Sequence, residues 1–119
     1  MKFMKGHRDR RLADFIQEEV SQILREELSD PELQGLITIS KVEVSPDLKQ
    51  ARIYYLVHGG EEAEKAASRG FKRATSYIRH LLAQRLYTKF VPELEFIADK
   101  KSEEEARLEA LFERIRHGS

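Results

Sequence analysis

From Asp9 to Leu28 the apolar residues fall at Leu12, Phe15, Ile16, Val20, Ile23, Leu24 and Leu28. Steps of three and four lay them in one stripe along a helix, with Asp14, Glu18, Glu19, Arg25 and Glu26 on the outer side. Ser29-Asp30-Pro31 ends this helix, because a proline disfavours helical geometry in the residue before it. Gly35 punctuates the loop that follows. The spacing then drops to two. Ile37 and Ile39 alternate in one phase, Val42 and Val44 in the other, which predicts a strand over Leu36 to Val44 with a bulge or bend near Ser40-Lys41. Ser45-Pro46-Asp47-Leu48 has proline and aspartate where a β-turn wants them. From Gln50 to Val57, Ala51, Ile53, Tyr55 and Val57 share one face, so a second strand pairs with the first as an antiparallel hairpin.

After His58-Gly59-Gly60 the helical period returns, with Ala63, Ala66, Ala67, Phe71, Ala74, Ile78, Leu81, Leu82 and Leu86 on one side. The predicted helix covers Glu61 to Phe90. Thirty residues at 1.5 Å each would span about 45 Å, whereas a compact chain of this size has a radius of gyration of only about 13 to 14 Å. A bend or break is therefore expected, with Gly70 and Thr75-Ser76 as candidates, since a hydroxyl can bond back to a carbonyl one turn earlier. Val91-Pro92 stops the helix. Leu94, Phe96 and Ile97 predict a short strand ending near Ala98, and the helical crossover before it allows it to lie parallel to one of the others. Ser102 and Glu105 make a capping-box signature for a last helix, Ser102 to Arg116, with an apolar stripe at Leu108, Leu111, Phe112 and Ile115. The acidic lead Glu103-Glu104-Glu105 complements its dipole. The order helix, strand, strand, bent helix, strand, helix predicts an α+β domain of two layers, with helices on one side of a sheet.

At 119 residues the chain is long enough for one domain with one core. With no cysteine, it has neither disulfides nor thiolate metal ligands, which fits a reducing compartment. The start, Met1 to Gly6, lacks the apolar run of a secretion signal, and no stretch approaches the roughly 20 apolar residues that cross a bilayer. No Ser-His-Asp or Cys-His spacing and no glycine-rich phosphate loop is present. His7, His58, His80 and His117 are scattered. A metal site at His58 with Glu61 and Glu62 is a weaker reading than an exposed loop histidine. Neither catalytic residues, nor a metal, nor a cofactor is expected.

Charge changes the picture most. The chain carries 21 basic and 21 acidic residues, yet between Glu64 and Glu93 there is no acid, while Lys65, Arg69, Lys72, Arg73, Arg79, Arg85 and Lys89 all fall there. On the helical wheel Lys65, Arg69, Lys72, Arg73, Ser76, Arg79 and His80 gather opposite the apolar stripe. Most charged faces are simply solvated and mix both signs. One that excludes acids is the footprint of a polyanion binder. Arg69, Lys72, Arg73 and Arg79 are the leading phosphate contacts, with hydroxyl or backbone contacts from Thr75 and Ser76 if a helix starts afresh there. Arg8, Arg10, Arg11, Arg85 and Lys89 are secondary, and residues 1–8 are expected to form a flexible tail. Tyr77 and Tyr87 fit partly buried packing better than base stacking. The alternative function is a protein–protein adapter whose basic helix binds an acidic partner.

Several stretches resemble one family. Val42-Glu43-Val44-Ser45-Pro46-Asp47-Leu48, Ala51-Arg52-Ile53-Tyr54, Ile78-Arg79-His80-Leu81-Leu82 and Phe90-Val91-Pro92-Glu93-Leu94 are similar to ribosome-binding factor A, as is Arg11-Leu12-Ala13 opening a helix that closes on Leu28-Ser29-Asp30-Pro31. The likeness runs from about Arg8 to Ala98. It implies a KH-like fold of type II, α-β-β-α-(kink)-α-β, here with an additional C-terminal helix, in a single domain over 1–119. It also implies a non-catalytic factor that binds the free 30S subunit and 16S rRNA during late maturation; apart from the resemblance, a cytoplasmic monomer with no membrane partner is expected. In that family an interrupted helix with an A-x-G motif replaces the KH loop. Ala74, Thr75 and Ser76 hold the matching positions and become RNA-binding candidates, with serine standing where glycine is usual.

Overall fold

A computed structural model describes residues 6–34 and 36–118. Helix α1 runs His7–Glu26, strand β1 Leu36–Val44, strand β2 Gln50–His58, helix α2 Gly60–Ala83, strand β3 Glu93–Ala98 and helix α3 Lys100–Gly118. A 3-10 turn, Pro31–Leu33, follows α1, opened by the Asp30 side chain accepting from the Glu32 N–H at 3.0 Å. Most of the expected flexible tail lies outside the described residues, but Arg8 already belongs to α1. Buried Asp9 fastens that end by accepting from the Gly6 and Arg10 amides at 2.9 and 3.0 Å.

The sheet order is β1-β2-β3, antiparallel between β1 and β2 and parallel between β2 and β3. The phase slip in β1 is a bulge: the register shifts between Ile39 and Lys41, so Ile39, Val42 and Val44 all reach the core. The hydroxyl of the extra residue, Ser40, donates to Asp99 Oδ2 at 2.6 Å, beside the start of α3. Leu12, Ile16, Val20 and Ile23 from α1 and Phe71, Ala74, Ile78 and Leu82 from α2 join Ile53 and Tyr55 of β2 in one core cluster. Phe71 stacks on Phe96 at 4.4 Å and tilts against Tyr55 at 4.5 Å, which fixes α2 over β2 and β3. The other sheet face is polar, with Lys41 over the Tyr54 ring and Arg52 near Glu95.

Three expectations are corrected. The long helix ends at Ala83 rather than Phe90, and it is continuous through Thr75-Ser76. At 24 residues, about 36 Å, it fits without a break. The Thr75 hydroxyl does bond back to the Phe71 carbonyl, at 2.5 Å, yet the helix carries on past it. The last helix begins at Lys100, so Ser102 lies inside its first turn and not at a cap. Its stripe is not core: Leu108, Leu111, Phe112 and Ile115 are all exposed. The molecule is accordingly extended, with a radius of gyration of 15.9 Å and a longest dimension of 57 Å.

Candidate nucleic-acid interface

The apolar stripe of α2 faces the core, so its basic residues face outward: Lys65, Arg69, Lys72, Arg73, Ser76 and His80 are exposed. The arginines there are nevertheless occupied. Arg69 donates from Nε and Nη2 to Glu32 Oε2 at 3.0 and 2.7 Å. Arg73 forks onto Asp30, with Nη2 2.8 and 3.0 Å from the two carboxylate oxygens, and also reaches Glu32 Oε1 at 2.7 Å. The Arg73 bond holds the Asp30 carboxyl below its usual range, and Arg69, then Arg73, does the same for Glu32. Arg73 in turn is held more firmly protonated by Asp30 and Glu32. These acids lie 37 and 43 residues before their arginines in the chain, so charge spacing along α2 could not reveal them.

Arg85 is also tied down, donating to Glu19 at 3.0 Å and Glu27 at 2.7 Å and so joining the chain beyond α2 to α1. Arg79 clasps the backbone instead, with Nη2 on the Val91 carbonyl at 2.8 Å and Nε on the Pro92 carbonyl at 3.0 Å, and Glu93 at 3.4 Å. Lys72 forms no ion pair among the described residues, nor do Arg8, Arg10 and Arg11, all exposed on the first turns of α1. Lys89 lies 5.7 Å from the centre of the Phe90 ring.

Ala74, Thr75 and Ser76 are placed differently from the expectation. Ala74 is buried, and because α2 is continuous the amides of Thr75 and Ser76 serve the helix ladder. No fresh helix start faces outward there. What these positions offer is the exposed Ser76 side chain, the half-buried Thr75 and, beside them, Tyr77, which is 49% exposed and so half covered. Tyr87, more exposed still at 61%, makes an edge-to-face contact with Phe15, ring centres 5.5 Å apart.

The surface around them is concave. One cavity of about 460 Å³ is bordered by Thr75, Ser76, His80 and Ala83. A second of about 750 Å³ is bordered by Arg8, Asp47, Leu48 and Lys49. They share Arg79, Lys89, Phe90, Val91 and Glu93, so the two adjoin across those residues as a divided groove, one part beside Ser76 and the other at the N-terminal turn of α1. The fold thus brings Thr75, Ser76, Arg79, Lys89 and Arg8 to one place. Arg69 and Arg73 sit on the 3-10 turn and Arg85 on the α1 side, outside the groove. Sequence reasoning missed Phe90 and Lys49. Phe90 sits three residues from Tyr87 in a stretch read as helix, where exposure was not legible.

Among the described residues no group of three histidine or acidic side chains could hold a metal, and no helix is long and apolar enough to cross a membrane. Comparison with known proteins decides the family. The family model for ribosome-binding factor A matches residues 8–112. The chain belongs to the ribosome-binding factor A family. Ribosome-binding factor A of Thermomicrobium roseum is 36% identical over 112 residues, 94% of this chain and 86% of that protein. The solution structure of a ribosome-binding factor A from Thermotoga maritima superposes with a TM-score of 0.70 at 30% identity, covering 82% of this chain and 92% of that one. A homology model of the Thermus thermophilus factor, fitted into a cryo-EM map of its 30S complex, matches with a TM-score of 0.56 at 30% identity over 79% and 93% of the two chains. Ribosome-binding factor A proteins are assembly factors without catalytic activity, so the protein is not an enzyme. The KH-like α+β arrangement is theirs too; in this chain α2 is unbroken and α3 follows β3.

Proposed function

We propose that this protein binds the free 30S ribosomal subunit and 16S rRNA and promotes late maturation of the subunit, without catalysis, as a cytoplasmic monomer. The observation that carries the reading is the family match across residues 8–112, supported by a Thermus thermophilus relative fitted into a 30S complex. The groove supplies the chemistry. Arg8 and Lys89 offer unpaired charge at its rim, Ser76 a hydroxyl, and Lys72, Arg10 and Arg11 extend the positive field around it. Arg69, Arg73 and Arg85 act first as braces of the fold. They are exchangeable phosphate contacts only where the pair is exposed, and Arg85 is 23% exposed.

The test is co-sedimentation with purified 30S subunits, alongside filter binding to naked 16S rRNA across a salt series. The informative variant is Lys72→Glu with Lys89→Glu, since neither lysine braces the fold. Reversing Arg73 or Arg79 would also undo a structural contact. The wild type is expected to co-sediment and to bind rRNA with affinity that falls as salt rises, and the double reversal to do neither. Tight subunit binding with no affinity for naked rRNA would favour a protein adapter instead.

A further inference from the structure

We infer that Phe90 is a stacking platform for one unpaired base of a single-stranded RNA segment lying in the groove. A single exposed phenylalanine needs no explanation. This one differs in how it is held and what surrounds it. The residue is 75% exposed, yet its backbone is pinned on both sides. The Thr88 hydroxyl donates to the Phe90 carbonyl at 3.1 Å, and Arg79 clasps the next two carbonyls, Val91 and Pro92. Pro92 is itself buried. The aromatic residue is therefore presented to solvent by a fixed loop, which lowers the ordering cost of anything that binds it.

Phe90 also borders both cavities, with the Lys89 ammonium over one face of its ring, 5.7 Å from the centre, so that a base would take the opposite face. Arg8 and Lys49 border the far end of one cavity, and Ser76 and His80 that of the other. Two acids also border the cavities: Asp47, which accepts from the Ser45 hydroxyl and the Lys49 amide, and Glu93, 3.4 Å from Arg79, which sets two carboxylates against the cations Arg8, Lys49, Arg79 and Lys89. An apolar ring between cations suits a nucleotide, with its base on the ring and its flanking phosphates on Arg8 and Lys89. A base inside a duplex is stacked on its neighbours and cannot offer its face, so the ligand is single-stranded. The inference rests on the RNA-binding reading above and adds to it the site, the contact and the strandedness.

The chain contains no tryptophan, so Phe90→Trp places one emitting residue at the site. Titration with a short single-stranded RNA of mixed sequence is expected to quench it saturably, and an RNA duplex of equal charge is not. Phe90→Ala is expected to weaken binding to that strand and to 30S subunits roughly ten-fold, with the salt slope unchanged because no phosphate contact is lost. Wild-type affinity in Phe90→Ala, or tryptophan emission indifferent to the single strand, overturns the inference while leaving the parent function standing. Weakened binding to subunits with unchanged binding to naked RNA assigns Phe90 to a ribosomal protein and overturns it too. If the wild type binds neither RNA nor subunits, both readings fall together.

Discussion

Gly70 and Leu33 meet so closely that no side chain fits between them. A methyl group on Gly70 would lie 2.7 Å from Leu33 Cγ and 2.9 Å from its Cδ2. Leu33 is the buried residue of the 3-10 turn, and Arg69 and Arg73 flank Gly70 on α2 to hold the same turn through Glu32 and Asp30. One glycine and two arginines thus dock the segment after α1 onto the middle of α2.

Gly70→Ala is expected to destabilise the protein. Replacing a mid-helix glycine gains about 0.5 to 1 kcal/mol, but overpacking costs about 1 to 3 kcal/mol, and the branch carbon of buried Leu33 can give way only by a rotamer change within the core or a shift of the turn. In a Leu33→Ala background the same substitution should cost much less, since the obstruction is gone. Thermal or urea unfolding of the two single variants and the double variant checks this. Simple addition of the single effects would refute it.

The acid pairs set a pH dependence. Arg73 first lowers Asp30, and Arg69 first lowers Glu32. Both carboxyls titrate below their unfolded values, so their contribution is complete above the ordinary carboxylate range and is lost as pH falls through the lowered values. Side-chain NMR titration should show Asp30 returning towards its ordinary value in Arg73→Met, with Glu32 moving less because Arg69 remains. An unmoved Asp30 would mean the fork is absent in solution.

Arg79→Lys keeps the charge but cannot donate to two carbonyls in a fixed fork. It should loosen residues 84–92 and cost about 1 kcal/mol, modest because the guanidinium is 40% exposed. Faster amide exchange in that loop, with α1 unaffected, is the expected signature.

Lys72 and Arg85 separate contact from brace. Lys72→Ala should reduce the salt slope of rRNA binding by roughly 0.7 to 0.9, the loss of one phosphate contact, and leave stability unchanged. Arg85→Ala should leave the slope alone and destabilise by about 1.5 kcal/mol, because Glu19 and Glu27 lose a shared donor. A reversed pattern would move the interface to the α1 side.

The sequence made the strands legible down to the bulge, because a two-residue period that slips at Ser40 leaves a visible trace. The hairpin and the core side of α2 followed from the same kind of pattern, and the helical crossover before the third strand left its parallel pairing open. Partnership was not legible. Asp30 and Glu32 look like ordinary loop acids until the fold lays them beside Arg73 and Arg69. The end of α2 was missed for a related reason. Leu86 continues the helical period, and no glycine or proline intervenes before Pro92, but Arg85 is held by acids of α1 and the chain leaves the helix at Gln84. The stripe on α3 had helical spacing without a partner surface, and spacing alone cannot say whether a stripe is covered. The groove was the least legible feature, since it joins three segments far apart in the chain.

The extra residue in β1 has a consequence for length. Ile37 and Ile39 point inward with Val42 and Val44 only because Ser40 is accommodated opposite no partner. Were Ser40 paired as a regular strand residue, half of the strand would turn inside out, whereas deleting Ser40 would remove the bulge and leave Ile37, Ile39, Val42 and Val44 all inward in regular alternation. The deletion would also take away the hydroxyl that meets Asp99 where α3 begins. What Ser40 supplies is thus the bulge and the tie to the start of α3 rather than the burial pattern, and a strand shortened there is expected to keep its core face while losing that tie.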